Sequence, residues 1–225
     1  MPLLVSALSL SGLGLPAIDA GPVTIDLDAS ARYRYAAISD DAFDEDARAS
    51  TVRLLLGAET RPVHRLSARV ELRSVQTIGP DEFDDGLDGD DAFPPEPDPS
   101  ATELSQGFVR FASSRLEAWG GRRKPAWEDE RFLSDYDWRQ NGQSLDGAGL
   151  TVRPGWGVEL DYAYAFNVNR PLTEDDPEGD YEGAFHSVRA AWTHRPGSTV
   201  ELLYLSHTFD EGFAETLSAT TWGVG

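Results

Sequence analysis

The feature that most constrains the fold is a regular alternation of long and short connections between segments in which apolar and polar residues alternate. Short turns separate five long connections, which are predicted near 40–49, 79–103, 123–142, 169–184 and 209–217. A period of two residues predicts β-strands with one apolar and one polar face. Long loops at one edge and short turns at the other are typical of membrane barrels. The sequence therefore predicts an all-β, antiparallel transmembrane β-barrel.

About ten strands are predicted, and most of them reach 9–12 residues. That length suits a tilted crossing of a bilayer better than the usual five or six residues of a globular strand. The clearest strand covers 157–168, where Phe166 and Val168 are assigned to the apolar face and Asn167 to the polar face. The pattern of a neighbouring strand changes phase after Asp146, which predicts a β-bulge there.

Charge is sorted in the same way as loop length. The chain has 39 acidic and 19 basic residues, for a net charge of −20, and the five long connections hold 29 of the acidic residues. This acidic balance argues against nucleic acid as a partner, because phosphate binding needs a basic face. The chain has no cysteine, which excludes disulfides, thiolate catalysis and zinc–sulfur sites.

A soluble alternative fits the same alternation. In an exported acidic β-sandwich that acts as a binding module, the apolar strand faces would meet one another in a core. The two hypotheses differ in what covers the apolar faces, which is lipid in the barrel and a second sheet in the sandwich.

The N-terminal segment predicts export. Residues 1–20 contain an apolar stretch from Leu3 to Leu15 and end in small residues near Ala20, as a secretory signal peptide does. The segment departs from that pattern because no Lys or Arg precedes the apolar stretch, and a strand or helix is the alternative. The predicted location is the cell outer membrane of a Gram-negative bacterium, with outer-membrane lipid around residues 21–225.

One block of sequence resembles a known family. Gly120-Gly121-Arg122-Arg123, then Glu130-Arg131-Phe132, then Asp137-Trp138-Arg139-Gln140-Asn141-Gly142-Gln143-Ser144-Leu145-Asp146 are similar to the core of the alginate-export family of outer-membrane porins. The resemblance spans about residues 50–225, and it departs from the family at Arg123, where Gln is usual, and at Leu145, where an aromatic residue is common.

The resemblance implies a barrel of about eighteen strands, of which this chain supplies about ten. Residues 21–225 would then be the N-terminal portion of the barrel, truncated at the C-terminus. The implied function is a porin-like channel for polar or anionic solutes, including uronate polysaccharides such as alginate. No cofactor is implied.

The polar strand faces would line the pore. The pore-lining candidates are Arg32, Arg34, Arg53, Arg69, Arg73, Arg110, Arg189, Glu159 and Asp161. Guanidinium groups bind carboxylates well because they present a planar fork of donors and keep their charge. The alternative is that the arginines brace the wall by pairing across strands with Asp26, Asp28, Glu59, Glu71, Glu117, Glu159, Asp161 and Glu201.

A polar cluster lies in or beside the connection 123–142. It comprises Arg131, Arg139, Gln140, Asn141, Gln143 and Asp146. These side chains are predicted to face inward. They either narrow the pore and bind a sugar-like solute, or anchor the loop to the barrel wall.

Metal binding and catalysis receive little support from the sequence. The connection 79–103 is rich in acids, and its weak calcium candidates are Asp84, Asp85, Asp88, Asp90 and Asp91. Their spacing does not follow an EF-hand loop, so no metal site is predicted. The four histidines lack metal-protease spacing, and no enzyme is predicted. A barrel-borne enzyme that uses His186 or His207 is the weakest alternative.

Overall fold

The strands in the described part of the chain form one antiparallel sheet. The computed structural model describes residues 3–79, 82–87, 91–125, 133–174, 176–210 and 218–224. Eleven strands pair in chain order, each with its sequence neighbours. They are β1 (Leu3–Ala20), β2 (Val23–Ile38), β3 (Ala47–Thr60), β4 (Leu66–Thr77), β5 (Ala101–Ala112), β6 (Leu116–Arg123), β7 (Ser144–Gly155), β8 (Val158–Asn169), β9 (Asp180–Arg195), β10 (Ser198–Phe209) and β11 (Ala219–Val224). The prediction of an all-β antiparallel fold is confirmed. None of the described residues belongs to a helix with the length and hydropathy needed to cross a membrane.

The connections alternate in length as predicted. The short ones cover 21–22, 61–65, 113–115, 156–157 and 196–197. The long ones cover 39–46, 78–100, 124–143, 170–179 and 210–218. In a chain-order antiparallel sheet, successive connections lie at opposite edges, so the short turns share one edge and the long loops share the other. We call these the turn edge and the loop edge.

The N-terminal segment forms a strand of the sheet. β1 pairs with β2 from Leu3 opposite Ile38 to Ala20 opposite Val23. This is the strand that the sequence left as an alternative to a signal peptide, and it brings the number of strands from the predicted ten to eleven. Cleavage after residue 20 stays a prediction.

The two faces of the sheet differ in chemistry. One face, here the outer face, exposes large apolar side chains on successive strands, such as Leu56 on β3 (57% exposed), Leu160 on β8 and Leu202 on β10 (57%). The opposite, inner face carries Arg53 on β3 and Arg189 on β9, which are paired with carboxylates. The period of two residues produces this separation because successive side chains of a strand point to opposite faces.

A bulge in β8 corrects the predicted face of two residues. Asn167 pairs with Asp146 and Ala165 with Gly147, so Phe166 is an extra residue without a partner on β7. Val168 therefore lies on the inner face, where it is buried, and Asn167 shares the outer face with Phe166. The prediction that placed Val168 beside Phe166 was wrong because an extra residue reverses the alternation that follows it. The register does shift at Asp146, but the extra residue belongs to β8 and not to β7, the strand in which the bulge was predicted.

Two apolar clusters cover the inner face near the loop edge. One lies on β7–β10 and contains Leu145, Ala165, Val168, Tyr181, Phe185, Leu205 and Phe209. The other joins β2 and β3 to the loop 78–100 and contains Ala36, Ile38, Ala47, Ala49 and Phe83. Two of the long loops contact these clusters, through Leu133 of the loop 124–143 and Phe83 of the loop 78–100.

Candidate functional site: the inner wall and its docked loops

Arg189 is the centre of an ion-pair network on β8–β10. Its Nη1 lies 2.9 Å from a carboxylate oxygen of Glu159 and 2.9 Å from one of Asp161, and its guanidinium also pairs with Glu201. The strand register explains the network. Asp161 on β8 is directly opposite Arg189. On β10 the residue opposite Arg189 is Leu203, and Glu201 lies two residues before it on the same face. Opposite charges on the inner face of adjacent strands therefore lie close enough to pair.

Arg69 is the centre of a second ion-pair network, on the inner face of β2–β4. It pairs with Asp28 at 3.0 Å, Glu71 at 2.7 Å and Glu59 at 3.5 Å. Gly57 makes this network possible. Asp28 lies opposite it, and a Cβ at position 57 would be 2.5 Å from the Asp28 carboxylate oxygens.

Every predicted pore-lining charge is paired, either across strands or with a docked loop. Arg69, Arg73, Arg110 and Arg189 pair with carboxylates on neighbouring strands, whereas Arg32, Arg34 and Arg53 pair with carboxylates of the loops 78–100 and 124–143. Each of the seven predicted arginines lies within 4.0 Å of a carboxylate, and each of the eight acids named as alternative partners lies that close to an arginine. Arg110 pairs with Glu117 at 2.7 Å, for example. The alternative pairing with the eight named acids is therefore found for Arg69, Arg110 and Arg189, and the other four arginines pair with acids outside that set.

Two arginines bind the segment 133–143 to the inner face. Arg32 donates to Gln140 Oε1 at 2.9 Å and to the main-chain carbonyls of Asp137 and Arg139. Arg53 pairs with the Asp137 carboxylate at 2.8 Å. Main-chain carbonyls and a side-chain amide thus satisfy guanidinium donors that face inward.

Gln140 and Asn141 are fully buried by this docking. Gln140 Nε2 donates to Thr51 Oγ1 at 2.8 Å, and Asn141 Nδ2 donates to the main-chain oxygen of Pro99 at 3.0 Å. Gln143 Nε2 donates to a main-chain oxygen of the same segment. Gln140 thus anchors the loop to β3, Asn141 joins it to the loop 78–100, and neither of these two amides is exposed to a solute.

Asp98 connects the two docked loops. Its Oδ1 accepts from the Gln140 main-chain N–H at 3.1 Å, and its Oδ2 pairs with Arg34 at 2.6 Å. Arg34 also pairs with Glu96 at 2.6 Å. Burial raises the pKa of Glu96, and the Asp98 charge adds to this effect while Arg34 and Arg139 oppose it.

The remaining members of the predicted cluster lie elsewhere. Arg139 donates to the main-chain oxygen of Pro97 at 3.4 Å, whereas Arg131 is outside the described residues. Asp146 is on the outer face near the loop edge, where it pairs with Arg122 at 2.8 Å. The prediction that Asp146 faces inward was wrong, because β7 alternates without interruption from Asp146 to the exposed outer residue Leu150.

The calcium candidates and histidines that the structure describes do not converge on one site. Asp84 and Asp85 each accept a main-chain N–H of the following turn, and Asp88 and Asp90 are outside the described residues. Among the residues that are described, no three acidic or histidine side chains are grouped in a way that could hold a metal ion. His186 Nδ1 lies 3.0 Å from the Tyr162 hydroxyl on the outer face. The cross-strand register places the side chain of His207 on the opposite, inner face.

A cavity beside Trp119 is the feature that the sequence analysis missed. It has a volume of about 230 Å³ and lies on the inner face of β6–β9. Its lining residues include Trp119, Arg123, Leu133, Leu145, Glu159 and Arg189. Trp119 lies two residues after Glu117 on β6 and therefore shares its inner face, so this position was readable from the sequence. The cavity itself depends on the docked position of Leu133.

Comparisons with known proteins add no relative. No family model matches the chain, and the searches of curated proteins and of solved structures found no significant match. The resemblance to the alginate-export porins therefore stays a prediction.

Proposed function

We propose that the chain forms a porin-like β-barrel channel in the outer membrane of a Gram-negative bacterium, and that polar solutes pass along its inner face. The observation that carries this proposal is the exposed apolar outer face of the sheet. Leu56, Leu160 and Leu202 belong to a row of such side chains that extends from β1 to β11. Lipid is the surrounding that stabilises such a face, since large apolar patches on soluble proteins are otherwise covered.

The inner face supports passage of polar rather than apolar solutes. It carries the Arg69 and Arg189 networks in the middle of the strands, where side chains contact neither lipid nor a second sheet. Paired charges of this kind give a hydrophilic wall. The docked segment 133–143 narrows the space beside β2–β4.

The proposal also requires that the outermost strands of the sheet are paired in the membrane. β1 and β11 are the first and last strands of the sheet. Within a bilayer, unpaired main-chain N–H and C=O groups are too costly to persist, so a membrane sheet must close. Closure is therefore part of the proposal.

The soluble β-sandwich is less well supported. A sandwich needs a second sheet against the apolar face, and the strands in the described part of the chain all belong to one sheet. The two apolar clusters lie on the inner face, so they leave the outer face uncovered.

The charged solute that the resemblance implies is a separate part of the proposal. Anionic solutes, including uronate polysaccharides such as alginate, would need arginines that are free to bind carboxylates. The wall arginines already pair with protein carboxylates. A channel for polar solutes is therefore better supported by the structure than a channel for alginate.

Heat modifiability of the full-length gene product tests the proposal. Cells are fractionated, and the envelope fraction is run on SDS gels with and without boiling. A closed barrel gives an outer-membrane band that migrates faster before boiling. A soluble band without a heat shift would refute the channel.

A further inference from the structure

We propose that the cavity beside Trp119 is a subsite for one ring of a neutral, hydroxyl-rich solute, such as a hexose unit of an oligosaccharide. The inference rests on the proposed channel function and names the substrate class of its inner wall. Three properties of the cavity support this inference: its size, its fixed aromatic side chain, and the pairing of its charged side chains with one another.

The size of the cavity suits one sugar ring. Its volume of about 230 Å³ is below the roughly 300 Å³ at which pockets for drug-sized ligands begin. Leu133 and Leu145 give it an apolar side, and Glu159, Asp161 and Arg189 give it a polar one. A sugar ring has the same division, with C–H groups on its faces and hydroxyl groups around its edge.

The Trp119 indole is a fixed surface in this cavity. It lies against Gly149 on the neighbouring strand, where a Cβ would be 2.6 Å from the indole Cε2. The Arg123 guanidinium lies 5.3 Å from the indole ring centre, which is a cation–π contact. Glycine and arginine thus hold the ring on the wall, and an aromatic ring held in one orientation binds an apolar sugar face at little entropic cost.

The charges around the cavity favour hydroxyl groups over an anion. Arg189 already contacts three carboxylates, and Arg153 pairs with Glu159 at 2.6 Å. The other two cations that line the cavity are also paired, Arg123 with Glu117 at 3.6 Å and Lys124 with Glu71 at 2.7 Å. An incoming anion would have to displace a carboxylate from one of these four cations and remain near the others, since like charges repel at this distance. A hydroxyl group both donates and accepts, so it can bind to a guanidinium and a carboxylate of the same pair without separating them.

Block of ion current by oligosaccharides tests the inference. The full-length product is reconstituted in planar bilayers and titrated with maltotriose, which is neutral, and with trigalacturonate, which is anionic. We expect maltotriose to block at a lower concentration than trigalacturonate. Trp119→Ala should raise the half-blocking concentration of maltotriose about tenfold with little change in open-channel conductance, and Trp119→Phe should keep part of the block.

Trp156→Ala is the matched control, because Trp156 lies in a short turn and is 89% exposed. The heat shift on gels shows that each variant is folded, and Trp119→Phe keeps the test open if the alanine variant does not fold. Three outcomes would each overturn the subsite. They are ion-conducting channels that maltotriose does not block, a block by maltotriose that is as strong in both Trp119 variants as in the wild type, and a tighter block by trigalacturonate than by maltotriose. The absence of any conductance would instead refute the channel itself.

Discussion

The indole of Trp119 and the backbone of Gly149 are directly opposite each other on β6 and β7, so close that a Cβ at position 149 would be 2.2 Å from the indole Nε1. The missing side chain of Gly149 leaves the space in which the indole lies flat along the inner face. One glycine thus fixes both the packing of two strands and the shape of the cavity beside them.

Gly149→Ala should displace the indole and destabilise the protein. The added methyl group cannot be accommodated without moving a large side chain, which costs about 1–3 kcal/mol. Gly120→Ala is the control, because a Cβ there would be no closer than 4.0 Å to a neighbour. Urea unfolding midpoints in detergent would measure both, and equal midpoints would contradict the assigned contact.

Leu56→Arg should impair membrane insertion. Leu56 is on the outer face of β3, and a charged side chain facing the bilayer midplane costs about 2–4 kcal/mol. Leu56→Val keeps the face apolar and should insert normally. The measurement is the fraction of heat-shifted protein in lipid vesicles. In a soluble protein, arginine at this exposed position would be tolerated, so full folding of the arginine variant would argue against lipid on this face.

Arg189→Ala should be strongly destabilising. It leaves three mutually close carboxylates without their shared cation. Removal of one partner costs about 3–5 kcal/mol in a buried pair, and about 2 kcal/mol is expected here because these side chains are 19–35% exposed. Arg153→Ala removes a more exposed pair with Glu159, whose expected contribution is at most about 1 kcal/mol. Comparable losses of unfolding free energy in the two variants would show that the network is not centred on Arg189.

Asp98→Ala should loosen both docked loops. The substitution removes the acceptor of the Gln140 main-chain N–H and the partner of Arg34 at once. Limited proteolysis with mass spectrometry should then find faster cleavage within both 78–100 and 124–143. Asp44→Ala, in the exposed loop 39–46, should leave cleavage at these sites unchanged. Faster cleavage in only one loop would refute the connecting role of Asp98.

Acidification should tighten the docking of the loop that contains Glu96. Burial raises the pKa of Glu96 in the docked state, so this state holds the proton more firmly than an undocked loop, in which the pKa is near 4.5. The docking free energy gained from protonation is complete below the undocked pKa and is lost as the pH rises through the docked pKa.

Proteolysis at two pH values measures this effect on Glu96. Cleavage within 78–100 should be slower at pH 5 than at pH 7.5, after correction for the activity of the protease on an unfolded substrate. Glu96→Gln mimics the protonated carboxyl and should give slow cleavage at both values. Faster cleavage of the wild type at pH 5 would reverse the sign and contradict the prediction.

The sequence predicted the strands well because their pattern depends on local physics. A period of two residues assigns inner and outer faces wherever one face is apolar, as with Leu56 and Arg53. It fails where apolar residues also lie on the inner face. Leu145 is such a residue on β7, and this explains why its strand looked out of phase near Asp146. β1 was predicted only as an alternative to an export signal, because its Leu, Ser and Gly residues match such a signal equally well.

The contacts of the docked loops could not be predicted from the sequence, for a different reason. Arg32 and Gln140 are 108 residues apart in the chain, and no local pattern joins them. The sequence marked both as inward-facing polar residues and left open whether they bind a solute or the wall. Their contact is decided by which loop reaches which strand, and this depends on the curvature and packing of the folded sheet.

Pairing of every strand with only its chain neighbours has a consequence for how such a protein can change in evolution. Because a long loop and a short turn alternate, a unit of two strands begins and ends at the same edge of the sheet. Duplication or loss of such a unit preserves the direction, the register and the inside–outside identity of all other strands. The width of the sheet can therefore change by one hairpin at a time, without redesign of the strands that remain.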